Sequence, residues 1–439
     1  MLSELIKRHK LGIAFLGDVV VFILSIMAVL YIRYGNSDFA YQLSVHTIPF
    51  LLVLFLWLII FYISNQYTFK AFDNIIKITK SLTTTLLVSF FITIGIFYIF
   101  SRYFALTPKA NLIMLTIIFG ILDIAWRYIL RKVFIKKAYH SNILILSSSP
   151  LVNEILLFVN KSPQLGYSIY QFDGNIGSLN DTIQKYSINK VVIDGKYLRN
   201  NKVTKMLYGT LSTQIEISTV IDFYESLFGC IPLSEIEEEW FIKEITENKK
   251  IYESMKRFIE ILIICITLPI TIPVGIIIGI LVAVTSSGHV IYKQERIGKN
   301  NNPFTLYKFR TMNIGQDGPL WTCEGDKRIT PIGKFLRFTH LDEMPQLFNC
   351  LKGDISFIGP RPERIELVKV YEQIPYYEIR HIIKPGIIGW AQLNYKASSS
   401  LDEAKQKFQF DLYYIKNRSI ILDLFIFLKT ARMMFTRNR

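Results

Sequence analysis

The sequence predicts a membrane protein that combines long helices with a small α/β unit. Of its 439 residues, 51% are apolar, and the mean hydropathy of +0.31 is positive, which is unusual for a soluble protein. Apolar stretches near bilayer length occupy the N-terminal part, and a strand–helix alternation begins at Asn142. The length allows two or three structural units.

Four apolar spans come first, and we expect them to form a four-helix transmembrane bundle within residues 1–138. They cover residues 11–31, 48–63, 86–100 and 112–130. A helix rises about 1.5 Å per residue, so a hydrocarbon core of about 30 Å needs about 20 residues. The second and third spans are therefore marginal in length.

Clusters of Lys and Arg around these spans predict their orientation. The heavier clusters precede the first span, separate the second from the third, and follow the fourth. They are Lys7, Arg8 and Lys10; Lys70, Lys77 and Lys80; and Arg131, Lys132, Lys136 and Lys137. Because cytoplasmic loops carry an excess of Lys and Arg, we expect the N-terminus and Lys136 in the cytoplasm.

Two acidic residues, Asp18 and Asp123, lie inside the spans. Intramembrane carboxylates can belong to a functional relay. Asp123 also stands one helical turn before Arg127, and opposite charges at that spacing attract each other. A structural ion pair is therefore the favoured interpretation.

The middle of the chain, residues 139–225, has the pattern of a small parallel α/β unit. Residues 143–146 (ILIL) and 190–194 (KVVID) predict buried strands, and residues 151–159 predict a helix. The first turn reads Ser-Ser-Ser-Pro at 147–150 and has no glycine that would let the backbone approach a pyrophosphate. We therefore expect a structural or assembly role rather than dinucleotide binding.

A second kind of membrane element is predicted at residues 259–284, which are apolar but contain Pro269 and Pro273. An internal proline removes a backbone hydrogen bond and bends a helix. Cations flank both ends, which favours both ends on the cytoplasmic side. We therefore predict a broken, re-entrant helix hairpin, and a kinked transmembrane helix is the alternative.

Residues 335–362, FLRFTHLDEMPQLFNCLKGDISFIGPRP, carry the clearest chemistry. Asp342 and Glu343 are adjacent within a periodic apolar pattern that predicts a helix. Neighbouring helical side chains point about 100° apart, so one carboxylate could attack a phosphorus while the other holds a cation. A solvated helix face is the ordinary alternative, but Arg337 and the stiff Pro-Arg-Pro around Arg361 bring cations close in sequence.

The same stretch resembles the signature of the bacterial sugar transferases, the monotopic phosphoglycosyl transferase superfamily. The family pattern is L-D-E-x-P-Q-L, then G-D-x-S, then G-P-R-P. Residues 341–347 (LDEMPQL), 353–356 (GDIS) and 359–362 (GPRP) match it, although Phe338 and His340 replace the more usual Lys and Ser. The resemblance covers nearly the whole chain and is to the long, polyprenyl-phosphate hexose-1-phosphate transferase type.

The resemblance implies a catalytic domain at residues 256–439 with a re-entrant helix and amphipathic helices, preceded by a connector at 226–255. It also implies a Rossmann-like middle domain. Lys256-Arg257-Phe258 matches the entry to the family's membrane hairpin, and Pro273 matches its bend. Pro269 would add a second break. Two residues depart from the family hairpin: Glu260 stands where Asp is usual, and Ile272 replaces a serine.

The implied activity is the transfer of a sugar-1-phosphate from a UDP-sugar to polyprenyl phosphate, undecaprenyl phosphate in particular, with release of UMP. This step would start exopolysaccharide, O-antigen or capsule synthesis. Asp342 would be the nucleophile and form a covalent phospho-sugar, and Glu343 would hold Mg²⁺. Arg361 would clamp a phosphate. The other expected phosphate- or substrate-binding residues are Arg337, Lys308, Arg310 and Arg296, for which membrane-surface cations are the alternative interpretation.

The implied partners are the UDP-sugar, undecaprenyl phosphate and membrane lipids, with a homodimer as a further possible assembly. The formal net charge of +15 suits anionic lipids or a phosphate-rich substrate. Nucleic acid is not expected, because the cations flank apolar segments. The four cysteines form no CxxC pair, which argues against a zinc site. The implied location is the inner (cytoplasmic) membrane of a bacterial cell, with the catalytic domain in the cytoplasm.

Two further features and two other functions stay open. Trp390, with Gln392 and Asn394, could contact a base or sugar, or the tryptophan could anchor at the membrane interface. Residues 402–416 predict an amphipathic surface helix.

A non-catalytic scaffold for polysaccharide assembly and a transporter built on the N-terminal spans are the alternative functions. Glucose, galactose and N-acetylated amino sugars all fit the sequence.

Overall fold

The computed structural model describes residues 10–436, apart from gaps at 37, 65, 68–74, 100–108, 136–139, 173–178, 199–202, 204, 206–214, 246–248, 287, 313–327 and 396–399. The chain divides into two compact units, Met1–Phe223 and Tyr224–Arg439. The finer predicted division into four segments stays a prediction.

Four long apolar helices begin the first unit and confirm the predicted apolar segments. They are α1 (Lys10–Tyr34), α2 (Phe39–Ile63), α3 (Ile75–Ile99) and α4 (Lys109–Ile135). All four are longer than the predicted spans, because the helices continue through residues that are polar but locally satisfied. In α3, for example, Thr85 Oγ1 donates to the carbonyl oxygen of Ser81 at 2.9 Å.

An aromatic core joins these helices. Phe22 of α1 packs edge-to-face on Trp57 of α2 and on Phe119 of α4, with ring centroids 5.6 Å apart in both pairs. Trp57 Nε1 also donates to Thr93 Oγ1 of α3 at 2.9 Å, so the buried indole N–H has a partner. Many apolar side chains outside this core are exposed, as expected for a lipid-facing surface.

The charged residues inside the helices form a buried ion-pair cluster. Arg127 donates to Asp123 at 3.1 Å, to Asp18 at 2.6 Å and to the Gln66 carbonyl oxygen at 3.0 Å. The predicted Asp123–Arg127 pair is therefore confirmed, and Asp18 joins it. Five of the ten cations that predict the orientation, Lys7, Arg8, Lys70, Lys136 and Lys137, lie outside the described residues. The orientation stays a prediction.

The rest of the first unit contains a small parallel sheet, as predicted. Its strands are β1 (Ser141–Leu146), β2 (Tyr167–Gln171), β3 (Lys190–Ile193) and β4 (Glu216–Thr219), in the order β2-β1-β3-β4. The helices after α4 are α5 (Leu151–Asn160), α6 (Leu179–Lys185), α7 (Gly195–Leu198) and α8 (Val220–Phe228), which continues into the second unit. In the serine turn after β1, Ser149 Oγ accepts from the Leu151 amide at 3.1 Å, so the turn's own hydroxyls bond the start of α5.

The second unit combines helices with two short two-stranded sheets. The helices are α9 (Glu238–Ile245), α10 (Lys250–Thr285), α11 (Pro331–Thr339), α12 (Gln346–Lys352), α13 (Ile365–Tyr371), α14 (Trp390–Asn394), α15 (Leu401–Asn417) and α16 (Ile420–Thr436). The strands are β5 (Ile291–Ile297), antiparallel to β6 (Pro303–Phe309), and β7 (Ser356–Ile358), parallel to β8 (Gly386–Ile388). The predicted helix at 402–416 is confirmed as α15, and its apolar face packs inside the unit through Phe408 and Leu412.

The long helix α10 is apolar and largely exposed, and its backbone stays helical through Pro269 and Pro273. Its amino-terminal part is fixed to the rest of the unit by a buried carboxylate. Glu260 accepts hydrogen bonds from Ser356 Oγ and, at 2.9 Å, from the Phe357 amide. The Gly-Asp-x-Ser motif therefore has a structural role, because its serine holds the membrane helix.

Candidate active site

A cavity of about 590 Å³ in the second unit brings the predicted site residues together. Its lining includes all seven of them: Arg296, Lys308, Arg310, Arg337, Asp342, Glu343 and Arg361. These residues come from the β5–β6 hairpin, from α11 and the turn after it, and from the segment after β7. Sequence-distant segments thus converge on one concave surface, which is the usual form of a ligand site.

Asp342 and Glu343 do not lie on a regular α-helix, so the predicted helix through them is wrong. They lie in a 3₁₀ turn, Leu341–Glu343, between α11 and α12. His340 has a left-handed backbone conformation, with φ of 57°, which ends α11 just before the acids. Pro345 then starts α12. The two carboxylates therefore sit on a short, tightly fixed turn at the edge of the cavity.

Glu343 is the anchor of two cations. Lys308 Nζ donates to Glu343 Oε1 at 2.7 Å, and Arg361 Nη2 donates to the same oxygen at 2.8 Å. Burial raises the pKa of Glu343, but the Arg361 and Lys308 charges outweigh it and lower the pKa to about 2. Glu343 is therefore ionised at any physiological pH, and it fixes the direction of both cationic side chains.

Asp342 is nearly buried, with 9% of its surface exposed, yet no side chain among the described residues donates a hydrogen bond to it. Burial raises the pKa of Asp342; Lys308 lowers it and the Glu343 charge raises it further. A raised pKa makes a carboxylate a stronger base and nucleophile once it is ionised. The neighbouring acids thus differ: Glu343 is paired, and Asp342 is open to a ligand.

The other predicted cations are each held by a local partner. Arg337 Nε donates to Thr311 Oγ1 at 2.9 Å, and Arg296 Nη1 donates to the Pro362 carbonyl oxygen at 3.1 Å. Arg310 donates to the carbonyl oxygen of Ser286 at 2.7 Å, at the carboxyl end of α10. Burial lowers the pKa of Arg296 to about 10. Arg310 therefore has a clear structural contact as well as its place in the cavity wall.

Arg361 is positioned by a close crossing of two backbones. A Cβ atom added to Gly386 would lie 2.1 Å from the Gly359 amide nitrogen, and one added to Gly359 would lie 2.7 Å from the Lys384 carbonyl oxygen. The glycines of the Gly-Pro-Arg-Pro and Lys-Pro-Gly segments are thus required by contact between β7 and β8. Arg380 Nη2 then donates to the Arg361 carbonyl oxygen at 2.6 Å.

Two arginines that line the cavity, Arg328 and Arg364, were not identified as site residues from the sequence. Arg364 lies three residues after Arg361 in the same stiff segment, and that spacing was an available signal. Arg328 lies beside an undescribed stretch and had no motif to identify it. With them, the described lining carries six arginines and one lysine against two acids, which is an arrangement suited to several phosphates.

Trp390 is a core residue, so the suggested contact with a base or a sugar, and the alternative of a membrane anchor, are both wrong. It is 9% exposed, its Nε1 donates to the Gly229 carbonyl oxygen at 2.7 Å, and its ring stacks on Tyr413. Gln392 Oε1 accepts from the Gly389 amide at 2.6 Å, and Asn394 Nδ2 donates to the Trp390 carbonyl oxygen at 2.9 Å. None of the three lines the cavity as described.

The carboxylates available to a metal ion are few. The described residues contain no cluster of three or more His, Cys, Asp or Glu side chains that could hold one. Both cations bonded to Glu343 use Oε1, so Oε2 has no donor among the described side chains. Mg²⁺ is commonly bound by one or two carboxylates, with water and substrate phosphates completing its shell. Asp342 and Glu343 meet that minimum.

Comparison with known proteins finds a family match that lies within the second unit. The Bacterial sugar transferase family model matches residues 251–437. A UDP-N-acetylgalactosamine-undecaprenyl-phosphate N-acetylgalactosaminephosphotransferase of Aeromonas hydrophila is 39% identical over 215 residues, which are 48% of this chain and 50% of that protein. A UDP-glucose:undecaprenyl-phosphate glucose-1-phosphate transferase of Escherichia coli (strain K12) is 30% identical over 62% of this chain and 60% of that protein.

A shorter relative is covered over most of its length. A putative undecaprenyl-phosphate N-acetylgalactosaminyl 1-phosphate transferase of Bacillus subtilis (strain 168) is 43% identical over 139 residues, which are 31% of this chain and 78% of that protein. The two longer relatives are each matched over only half to three-fifths of their length.

The backbone crossing behind Arg361 yields a stability prediction. Gly386→Ala should lower the unfolding free energy by about 1–3 kcal/mol, because its Cβ would overlap the Gly359 backbone, which cannot move without displacing β7. The measurement is the thermal unfolding of the full-length protein in detergent. Gly279→Ala is the matched control, since its Cβ would meet its nearest neighbour at 3.6 Å. Equal unfolding midpoints for the two variants would contradict the steric argument.

Proposed function

Because the chain belongs to the bacterial sugar transferase family, we propose that it moves a sugar-1-phosphate from a UDP-sugar to undecaprenyl phosphate and releases UMP. Family relatives are named as undecaprenyl-phosphate sugar phosphotransferases, which supports this acceptor. The observation that carries the proposal is the Asp342 carboxylate, unpaired among the described side chains and facing a cavity lined by seven cations. The reaction would attach the first sugar of a polysaccharide repeat unit to its lipid carrier.

In the first step, a carboxylate oxygen of Asp342 forms a bond to the sugar-side phosphorus of the UDP-sugar. The bond between that phosphorus and the bridging oxygen breaks, and its electron pair leaves with UMP. A covalent aspartyl phospho-sugar remains. Because Asp342 accepts no hydrogen bond from the described side chains, its oxygens are free to attack.

In the second step, a phosphate oxygen of undecaprenyl phosphate attacks the same phosphorus. The bond to the Asp342 oxygen breaks, which frees the carboxylate and gives a lipid diphosphate sugar. The sugar thus keeps its own phosphorus throughout, and each step exchanges one phosphorus–oxygen bond for another. Asp342 ends the cycle ionised, as it began.

The cations would bind and orient the phosphates and oppose the repulsion between a carboxylate and a phosphate. Arg361 is held at its side chain by Glu343 and at its carbonyl oxygen by Arg380, so it is the cation best positioned to clamp a phosphate. Lys308 reaches the same Glu343 oxygen from β6. Glu343 would therefore act partly as a positioning residue, because it holds two phosphate-binding cations beside Asp342.

We include Mg²⁺ in the proposal, with Glu343 as its principal protein ligand and Asp342 nearby. The open Oε2 of Glu343 supports this assignment, because the two cations occupy the other oxygen. When bound, the ion would neutralise charge on phosphate oxygens. The described residues supply few other oxygen ligands, so phosphates and water would complete the coordination.

We further propose that α10 enters and leaves one membrane leaflet, bending at Pro269 and Pro273. The contacts at its two ends support this. Before the apolar stretch, Lys256 Nζ donates to the Ile358 carbonyl oxygen at 2.6 Å. After it, β5 pairs with β6, whose Tyr307 amide bonds Asn349 of α12 at 3.1 Å. A straight helix over residues 259–284 would separate its ends by about 39 Å.

The same unit thus holds both ends of the apolar stretch, which favours both ends on one membrane face. The proposed location is the inner membrane of a bacterial cell, with Asp342 at the cytoplasmic face and α1–α4 as a transmembrane bundle. UDP-sugar would arrive from the cytoplasm and the lipid phosphate from the leaflet. A scaffold or a transporter would have no use for an open carboxylate among seven cations.

Substitution of the two acids tests the chemistry. Asp342→Asn should reduce UMP release by at least about a thousandfold, because the amide cannot form the covalent intermediate. Glu343→Gln should reduce it by about ten- to a hundredfold, since Lys308 and Arg361 lose the carboxylate that orients them. The assay follows UMP released from a panel of UDP-sugars with added undecaprenyl phosphate and Mg²⁺.

Asp402→Asn is the matched control, since it makes the same change on an exposed carboxylate. Mass spectrometry of the wild type after exposure to the UDP-sugar alone should find a phospho-sugar on Asp342. An Asp342→Asn protein with wild-type turnover would exclude this carboxylate as the nucleophile. The UDP-sugar from which the wild type releases UMP also identifies the sugar that is transferred.

The raised pKa of Asp342 predicts the acidic limb of the pH–rate profile. Activity should fall as the pH decreases through this pKa, because the protonated acid cannot attack. Lys308→Met removes a charge that lowers the pKa, so the limb should move to higher pH. UMP release measured from pH 4 to pH 9 checks the shift. A limb that stays in place or moves to lower pH would contradict the assigned electrostatics.

Cysteine labelling tests the one-leaflet path of α10. Single cysteines at Lys250 and Lys293, which lie before and after the apolar stretch, should react together with a membrane-impermeant maleimide only from the cytoplasmic side. Inside-out and right-side-out vesicles distinguish the two faces. The four native cysteines, Cys230, Cys265, Cys323 and Cys350, are first replaced by serine, because Cys265 for one is exposed on α10. Labelling of the two positions from opposite faces would mean that α10 crosses the membrane.

A further inference from the structure

A second basic cavity, of about 360 Å³, lies at the amino-terminal end of α10 and shares no residue with the first. It is lined by six cations: Lys250, Lys256, Arg257, Lys299, Lys384 and Arg418. Two acids, Glu253 and Glu260, also line it. Glu253 lies 3.6 Å from Lys299 and 3.9 Å from Arg418, and Glu260 accepts hydrogen bonds from Ser356 and the Phe357 amide, so six cations share two carboxylates.

Several of these cations have hydrogen-bonding capacity to spare. Arg418 is 8% exposed, and its Nε has no hydrogen-bond partner among the described atoms. Lys250 and Lys384 form no ion pair with a described residue. Lys384 Nζ and Arg257 Nη2 lie beside the same glycine, 3.4 and 3.5 Å from a Cβ built on Gly353. Burial, and then the Arg257 charge, lower the pKa of Lys384, as expected for crowded cations.

Exposed apolar side chains border the cavity on three elements. On α10, Ile261 lies one turn after Arg257 on the cavity's side of the helix and is 38% exposed; Leu262, Ile263 and Ile266 beyond it are 48, 42 and 67% exposed. Ile251, Met255 and Phe258 are also exposed, but at about 100° per residue they point away from the cavity. Ile382 lies two residues before Lys384, and Ile421 lies three residues after Arg418; both are exposed. A site for a soluble anion would not need this apolar border.

We propose that this cavity binds the phosphate headgroup of an anionic membrane phospholipid, whose acyl chains lie along the exposed apolar stretch of α10 that follows Glu260. The cavity stands where α10 passes from a polar, ion-paired segment into its apolar stretch, which is headgroup depth for a membrane helix. The bound lipid would fix the depth of α10. This site is separate from Asp342, so it stands or falls independently of the proposed catalytic activity.

Lipid-dependent stability tests the site in the full-length protein. In a neutral detergent, phosphatidylglycerol should raise the thermal unfolding midpoint, while phosphatidylcholine should raise it much less. The double variant Lys250→Gln/Lys384→Gln should need about tenfold or more phosphatidylglycerol for the same shift, because each lysine adds to headgroup attraction. Neither lysine has an ion-pair partner among the described residues, so the fold should survive.

Lys334→Gln/Lys369→Gln is the matched control, because it removes two exposed lysines of the same unit that line neither cavity. It should keep the wild-type response. If Lys250→Gln/Lys384→Gln also kept it, the cavity would not be the lipid site. If inorganic phosphate at equal concentration stabilised the wild type as well as phosphatidylglycerol does, the lipid would be overturned as the ligand. Native mass spectrometry should show one retained phosphatidylglycerol that the Lys250→Gln/Lys384→Gln variant loses.

Discussion

The pairing of Glu343 with Lys308 and Arg361 is the constraint on which the site depends. One carboxylate oxygen joins a strand, a 3₁₀ turn and the segment after β7, at 2.7 and 2.8 Å. Without it, two cations would face each other in a cavity already crowded with arginines. The pairing satisfies Glu343 and leaves its neighbour Asp342 without a donor. Glu343 and Asp342 therefore differ in environment because Lys308 and Arg361 both bond to Glu343.

The sequence predicted the parts of this structure that follow from local pattern. Continuous apolar runs such as residues 143–146 became buried strands, and the long N-terminal runs became helices, because burial requires those patterns. Seven charged residues of the site could be identified before the structure was known, since each lies in or near a recognisable motif, whereas Arg328 has no such motif. Their convergence on one cavity required the fold.

Other features depend on tertiary packing and could not be predicted in the same way. The turn at Asp342 exists because His340, a residue with a Cβ, takes a left-handed conformation, and no periodic pattern signals that. Trp390 fits a core, a membrane interface or a ligand contact equally well by type. Only its bond to Gly229 and its stacking on Tyr413 decide for the core.

The buried ion pairs in the first unit have a consequence for how the chain is made. Asp18 and Arg127 are 109 residues apart, and each lies almost wholly inside its apolar helix. In the proposed transmembrane bundle, α1 is synthesised long before α4, so the Asp18 carboxylate has no Arg127 partner when α1 reaches the membrane. We infer that α1 packs into the bundle only after α4 has been added.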